Sequence, residues 1–155
     1  MKKSAILTCA AVFSLISTVG IAHEYKIDNL LVEHPTVRLT ISSRPAAGYM
    51  VIHNMGDTSD RLISASSSAA KHIELHRSIM KDGIMKMRPV KGVDIPAKSQ
   101  VAFKSGGYHL MVFGLKAGTK AGDKIPLTVV FKNAGAVNMT AYVEKLVKKK
   151  MKMSE

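Results

Sequence analysis

The sequence predicts an all-β domain, either an antiparallel sandwich or a barrel. Short runs alternate apolar and polar residues with a period of two, as residues 37–41 (VRLTI) do. That period places successive side chains on opposite faces of a strand. Turn-forming segments rich in Gly, Asn, Asp and Ser separate the runs, and no amphipathic pattern of helical length stands out. Many short strands at near-regular spacing are typical of sandwiches and barrels.

Nine runs follow this pattern along the chain, each bounded by a turn-forming segment. The separating segments include residues 54–57 (NMGD), 66–70, 106–107 (GG) and 133–135 (NAG). Glycine and asparagine favour turns because they adopt backbone conformations that other residues avoid. We expect strands over residues 37–41, 49–53, 61–65, 72–80, 84–90, 100–104, 108–113, 125–132 and 137–143.

The N-terminal segment has the pattern of a secretory signal peptide. A basic start at Lys2 and Lys3 precedes an apolar run over residues 5–21, and small residues stand at −3 and −1 of a cleavage point after Ala22. The alternative is an uncleaved anchor, although this run is at the lower limit for spanning a bilayer. The domains expected are a signal peptide (1–22), a β-domain (23–144) and a basic Lys/Met tail (145–155). No second apolar run of that length follows, so we expect no transmembrane span after cleavage.

Cys9 is the only cysteine, and it lies inside the predicted signal peptide. A lipoprotein use of Cys9 is disfavoured because the preceding Thr8 is bulky for that position. The mature chain would then have no thiol, so it could form neither a disulfide nor a blue-copper or thiolate zinc site.

The chain is strongly basic, with a formal net charge of +12. Such a charge favours anionic partners in general and does not choose among them. Nucleic acid is a poor candidate for an exported chain, and the low aromatic content of 5% offers no stacking platform. The basic run at residues 145–152 is interpreted as a solvated tail.

The segment at residues 108–113 (YHLMVF) carries two metal-binding side chain types on one face. Alternation projects His109 and Met111 from the same side of the strand, while Tyr108, Leu110 and Val112 point to the core.

A second cluster lies upstream, in a predicted hairpin. Asp82-Gly83 between two alternating runs is a strong signal for a two-residue turn. With that turn, Ser78 pairs with Met87, and His76 becomes a diagonal neighbour of Met87 on the same face. Glu74 shares that face and could orient an imidazole, or could simply be solvated. Met85 also shares it, and packing beside the site is the favoured interpretation; Met50 and Met139 are expected to be core fillers.

Two imidazoles and two thioethers suit Cu(I). Thioether sulfur is soft and neutral, and it binds Cu(I) better than Zn(II), Mg(II) or Ca(II). Neutral imidazole is the ligand form, so binding should weaken below the histidine pKa. The predicted ligands are His76, Met87, His109 and Met111.

The spacing of these four residues resembles the signature of the periplasmic PCu(A)C copper chaperones. Ten residues separate His76 from Met87, twenty-one separate Met87 from His109, and one separates His109 from Met111. The likeness extends over residues 23–143. It implies a cupredoxin-like Greek-key β-sandwich or barrel, a shallow Cu(I) site and a periplasmic location. It also implies delivery of copper to a respiratory oxidase subunit, chiefly its Cu(A) centre, alongside a thioredoxin-like assembly factor.

Other functions stay open at this stage. The same site could serve copper storage or detoxification. A mature chain beginning at His23 could chelate Cu(II) through its amine and imidazole and act as a copper enzyme, although no acid–base pair supports catalysis. A structural or adhesion subunit with accidental donors is the third class. The favoured prediction is a binding protein that is not an enzyme.

Overall fold

The computed structural model describes residues 23–40 and 44–145. The predicted signal peptide, Ile41 and all of the predicted tail except Lys145 lie outside these ranges. The described residues form eleven β-strands, which confirms the all-β fold class. Within these ranges there is no helix long and apolar enough to cross a bilayer.

The strands are short, and most are joined by turns of a few residues. They are β1 (Glu24–Ile27), β2 (Leu30–Arg38), β3 (Ala46–Asn54), β4 (Asp60–Ser66), β5 (His72–Lys81), β6 (Ile84–Pro89), β7 (Val93–Ile95), β8 (Ser99–Phe103), β9 (Tyr108–Phe113), β10 (Lys124–Phe131) and β11 (Gly135–Glu144).

Hydrogen bonds join the strands into one open, mixed sheet. Its order is β6-β5-β9-β8-β3-β2-β11-β10-β4-β7, with β1 paired to β2 and an additional pairing between β9 and β3. The pairings of β11 with β2 and of β8 with β9 are parallel, and the others are antiparallel. Strands β6 and β7 are the two ends of the order, so β6 is an edge strand.

The sheet surrounds one hydrophobic core. The core takes alternate residues from most of the strands, as in β3, where Met50 and Ile52 are buried and Val51 between them is only partly buried. Met50 and Met139 both lie in this core, as the sequence predicted. Leu110 and Val112 of β9 are also fully buried, and Tyr108 packs against the core.

The sequence patterns did not predict three stretches of strand. Strand β1 has four residues and β7 has three, too few to show a period. Strand β2 begins at Leu30, whereas the alternation is visible only from Val37. The reason is an irregularity between Glu33 and Thr36, where the register with β3 shifts and His34 has a φ of 49°. A bulge of this kind adds a residue and interrupts the alternation.

Candidate metal centre

The β5–β6 hairpin has the register that the sequence predicted. Ser78 pairs with Met87 and His76 pairs with Pro89. Asp82 and Gly83 form the turn with φ angles of 54° and 73°. Positive φ at both central residues suits the right-handed twist of the flanking strands, and Asp-Gly tolerates it well. The turn therefore sets which side chains of the hairpin share a face.

Strand β9 lies on the other side of β5 and brings the second pair of donors. His109 is the direct antiparallel partner of His76, and their ring centres are 5.8 Å apart. Two imidazoles bound to one ion through nitrogen–metal bonds of about 2 Å have ring centres on the order of 6 Å apart. The paired residues Leu75 and Leu110 beside them are buried in the core, so the two histidines lie on the opposite face of the sheet.

The two methionines flank this histidine pair on the same face. Met111 pairs with Glu74, two residues from His76, and Met87 pairs with Ser78 on the other side. Met87, His109 and Met111 line one surface pocket of about 280 Å³, together with Ala47, Tyr49 and Ser78, among others. His76 does not line this pocket, but it is the direct partner of His109, so all four predicted site residues lie in one region of the sheet.

Each imidazole has one nitrogen with a partner and one without. Nε2 of His76 lies 2.8 Å from a carboxylate oxygen of Glu74, and Nδ1 of His109 lies 3.2 Å from the carbonyl oxygen of Gly107. Nδ1 of His76 and Nε2 of His109 are buried and have no hydrogen-bond partner among the described residues. A buried polar nitrogen without a partner is unfavourable, and a bound metal ion removes that cost.

The partnered nitrogens decide which tautomer each ring adopts. Glu74 and the Gly107 carbonyl are acceptors, so in the neutral rings the N–H points to them. The lone pair is then on Nδ1 of His76 and on Nε2 of His109. Carboxylate or carbonyl partners of this kind are typical of metal-binding histidines, because they fix the ring and raise its basicity as a ligand.

The surroundings change the protonation of two groups in the site. The hydrogen bond from His76 lowers the pKa of Glu74 below its ordinary value, against a smaller effect of burial. Burial lowers the pKa of His109 below its ordinary 6.5, and the nearby His76 adds to this, while the hydrogen bond to Gly107 opposes it. The two shifts favour an ionised Glu74, which can accept a hydrogen bond from His76, and a neutral His109, which can act as a ligand.

Burial differs sharply between the two kinds of donor. His76 and His109 are 8% and 4% exposed, whereas Met87 on the edge strand is 55% exposed. Met111 is intermediate. The imidazoles therefore approach the site from within the protein, and Met87 lies on its outer side.

The hairpin places two further methionines on the same face. Met80 pairs directly with Met85, which stands two residues before Met87. They are 63% and 49% exposed. Met85 shares the Met87 face, as predicted, but its high exposure differs from the expected packing. The reason is that the pairing of β9 with β5 ends at Arg77, so none of the described strands flanks the hairpin at its tip.

The other histidines have different surroundings. His53 is 2.9 Å from Glu33. His72 stacks on Phe113 and lies 3.5 Å from the second carboxylate oxygen of Glu74. His23 contacts the hydroxyl of Tyr142 through Nε2 at 2.7 Å. Residues 23–40 and 44–145 contain no group of three or more His, Cys, Asp or Glu placed to hold a metal ion. A four-donor site around His76 and His109 therefore depends on methionine sulfur.

Sequence reasoning missed three features of the site. The partner of His109 is the backbone carbonyl of Gly107, which no side-chain type in the sequence marks. The direct pairing of β5 with β9 joins strands that are not consecutive in the chain, so no local pattern predicts it. Tyr49 lines the pocket from β3, and its position also depends on tertiary pairing.

The fold and the site define an all-β domain with two histidines and two methionines as the candidate donor set. Residues 30–143 match the family described as "Putative lipoprotein LpqE-like", and the chain belongs to this family. It is 38% identical over 86 residues to "Putative lipoprotein Lxx21020" of Leifsonia xyli subsp. xyli, covering 55% of this chain and 52% of that protein. It is 33% identical over 101 residues to "Uncharacterized protein RP573" of Rickettsia prowazekii, covering 63% and 54%. The chain thus spans about half the length of these relatives.

Solved structures of PCuAC domains have the same cupredoxin-like fold. The copper-bound PCuAC domain from PmoF2 is 27% identical, with a TM-score of 0.68, and covers 79% of this chain and 98% of that domain. The solution structure of Cu(I)-bound DR1885 from Deinococcus radiodurans is 26% identical, with a TM-score of 0.58, and covers 80% and 82%. The resemblance to the PCu(A)C family is confirmed, and these neighbours are PCuAC domains rather than enzymes, as the sequence predicted.

Proposed function

We propose that this chain is an exported metallochaperone that binds one Cu(I) ion and delivers it to an extracytoplasmic acceptor. The acceptor that fits the resemblance is the Cu(A) centre of a respiratory oxidase subunit, with a thioredoxin-like factor assisting. The compartment is the periplasm. The ligands are His76, Met87, His109 and Met111.

The two unpartnered ring nitrogens support this proposal most directly. Nδ1 of His76 and Nε2 of His109 are buried on adjacent strands, while the other nitrogen of each ring is held by an acceptor. That combination leaves one lone pair on each of two directly paired residues, and Met87 and Met111 line the pocket that His109 also lines. Without a metal ion, this arrangement has no evident stabilising purpose.

The donor chemistry favours Cu(I) over other ions. All four ligands are neutral, and half of them are soft thioethers, which select Cu(I) among the common biological metals. A neutral donor set holds the single charge of Cu(I) with less electrostatic imbalance than a divalent ion would leave. The copper-bound state of the PmoF2 domain and the Cu(I)-bound state of DR1885 are consistent with this choice.

Delivery is favoured over storage because the site is open on one side. Met87 belongs to an edge strand and is half-exposed, so an acceptor ligand can approach the ion from the side on which Met87 lies. A storage site is expected to enclose its ion. The experiment that separates the two is a deletion: loss of a chaperone impairs oxidase assembly at low copper, and loss of a buffer causes sensitivity at high copper.

Cu(I) titration of the domain against a chromogenic chelator tests the site. One equivalent is expected, with X-ray absorption showing two nitrogen and two sulfur neighbours, followed by transfer to an apo Cu(A) domain. Met55→Leu is the matched control for Met87→Leu, because Met55 is 47% exposed and lines a different pocket. Unchanged Cu(I) affinity in both His109→Ala and Met87→Leu would refute the ligand assignment.

A further inference from the structure

The tip of the β5–β6 hairpin carries three exposed methionines on one face. Met80 and Met85 are directly paired across the two strands, and Met87 follows Met85 by two residues on β6. Directly paired residues have Cβ atoms about 5 Å apart, and diagonal neighbours are separated by about 7–8 Å. Methionine is unbranched and has three rotatable bonds, so three thioethers at these spacings can converge on one point.

The hairpin separates its methionines from its other apolar residues. Met80, Met85 and Met87 share the face of His76, whereas Ile79 and Ile84 lie on the opposite face, paired with lysines. An apolar surface for docking a protein would not need this division, because isoleucine and methionine both supply apolar area. A soft-metal site does need it, because only thioether sulfur is a ligand.

No other part of the described fold covers this face. The pairing of β5 with β9 ends at Arg77, and Ser78 makes the last backbone contact, to the carbonyl of Gly107 at 3.0 Å. Beyond it, the hairpin projects past the neighbouring strand, and its thioethers are open to solvent and to a partner. Met87 belongs both to this tip and to the pocket of His109 and Met111.

We propose that Met80, Met85 and Met87 form a second, weaker, all-thioether site for Cu(I), the tip site. The ion enters and leaves the inner site, formed by His76, Met87, His109 and Met111, through this tip site. Met87 stays bound to the ion throughout. The thioethers of Met80 and Met85 on the tip side are exchanged for the two imidazoles and the thioether of Met111 on the inner side. No electron or proton is transferred in this exchange. The passage of copper rests on the proposed function, whereas the existence of a soft-metal site at the tip does not.

Silver(I), a redox-inert probe for soft ligands, tests the tip site in a variant whose inner site is removed. His76→Gln/His109→Gln is expected to retain Ag(I) binding with sulfur neighbours only. Adding Met80→Leu and Met85→Leu is expected to weaken that binding by about tenfold or more, which corresponds to about 1.4 kcal/mol. Leucine preserves the apolar surface, so retention of Ag(I) by the quadruple variant would overturn the proposal. Ile79→Leu/Ile84→Leu in the same background is the control for the opposite face.

The chain with both histidines provides the second measurement. Carbon-13 labels on the methionine methyl groups report each thioether during an Ag(I) titration. We expect Met87 and Met111 signals to move first, and Met80 and Met85 signals to move at higher Ag(I). The rate of Cu(I) transfer to a chelator should be lower in Met80→Leu/Met85→Leu than in the unsubstituted chain, while the equilibrium affinity of the inner site stays the same.

The two proposals fail separately. Met80 and Met85 signals that never move, with normal binding at His109, would overturn the tip site and leave the proposed function standing. Movement of Met80 and Met85 without any effect at His109 or Met111 would establish the tip site, and it would contradict both the copper site of the proposed function and the passage between the two sites.

Discussion

His76 on β5 lies directly opposite His109 on β9, and the centres of their rings are 5.8 Å apart. The two residues are separated in the chain by the hairpin turn and by three strands, β6, β7 and β8. Both are almost fully buried, and each keeps one ring nitrogen without a partner among the described residues. This pair anchors the proposed site, and the following predictions depend on it.

Replacing His109 by alanine should abolish Cu(I) binding at the inner site. The substitution removes a ligand, and even the supporting partners of a ligand contribute about 10- to 100-fold to metal affinity, so a loss of more than about 100-fold is expected. Competition with a chromogenic chelator measures it. His53→Ala is the control, because the His53 ring contacts the Glu33 carboxylate. His53 lies at the end of β3 away from Ala47, the strand partner of Met111. Equal losses in both variants would contradict a specific role of His109.

Replacing Met87 by leucine should lower the Cu(I) affinity without changing the free energy of unfolding. Met87 is 55% exposed on an edge strand, and its exchange for an apolar residue of similar volume removes little packing. Denaturant unfolding of the apoprotein and Cu(I) competition measure the two effects independently. A marked loss of stability together with unchanged affinity would show that Met87 has a structural role instead.

Replacing Glu74 by alanine should weaken Cu(I) binding by about 10- to 100-fold through His76. Glu74 accepts a hydrogen bond from Nε2 of His76 and thereby keeps the lone pair on Nδ1. Glu74→Gln retains an acceptor oxygen and is expected to have a smaller effect. Nitrogen-15 chemical shifts of the His76 ring report the tautomer, and a ring that keeps the Nε2–H form in Glu74→Ala would count against this role.

The apoprotein should lose stability as the pH falls below about 6.5. Burial lowers the pKa of His109 in the folded state below its ordinary 6.5, so the unfolded chain takes up the proton first. As the pH falls from the ordinary pKa to the folded-state pKa, proton uptake by the unfolded chain lowers the free energy of unfolding. Above the ordinary pKa the imidazole is neutral in both states, and this loss of stability is absent. Cu(I) binding should correspondingly persist to lower pH than an exposed histidine would allow. Thermal unfolding from pH 8 to pH 5, compared between the wild-type chain and His109→Gln, measures the effect, and identical pH profiles would contradict it.

Replacing Gly48 by alanine should destabilise the fold near the site by about 1–3 kcal/mol. Gly48 of β3 pairs with Leu110 of β9, and an added Cβ would lie 2.9 Å from the Leu110 Cβ atom, closer than real contacts allow. The strain would move β9, which carries His109 and Met111. Gly107→Ala is the control, because its nearest contact would be an ordinary 3.5 Å. Denaturant unfolding compares the two, and equal stabilities would contradict the close packing at Gly48.

Local sequence patterns were sufficient for several parts of the site. The Asp82-Gly83 turn predicted the register of the hairpin, and with it the shared face of His76 and Met87. The alternation in β9 predicted that His109 and Met111 point away from the core, and the core positions Leu110 and Val112 are indeed buried. These predictions succeeded because turn geometry and a period of two are properties of neighbouring residues.

Other features have no local signal. The bulge near His34 hid the first part of β2, and β1 and β7 are too short to show a pattern. The exposure of Met85 depends on where β9 stops pairing with β5, which the sequence of the hairpin does not contain.

The sequence alone determined the all-β class and the face on which each donor lies. It also determined the preference for Cu(I), which follows from the imidazole and thioether donors. Tertiary structure decided that β9 pairs with β5 and that the two rings lie opposite each other. It also decided that one nitrogen of each ring has no hydrogen-bond partner within the described part of the chain. The difference has a physical cause. Alternation and turns arise from the backbone geometry of adjacent residues, whereas the choice of a neighbouring strand depends on how all the strands together bury the core.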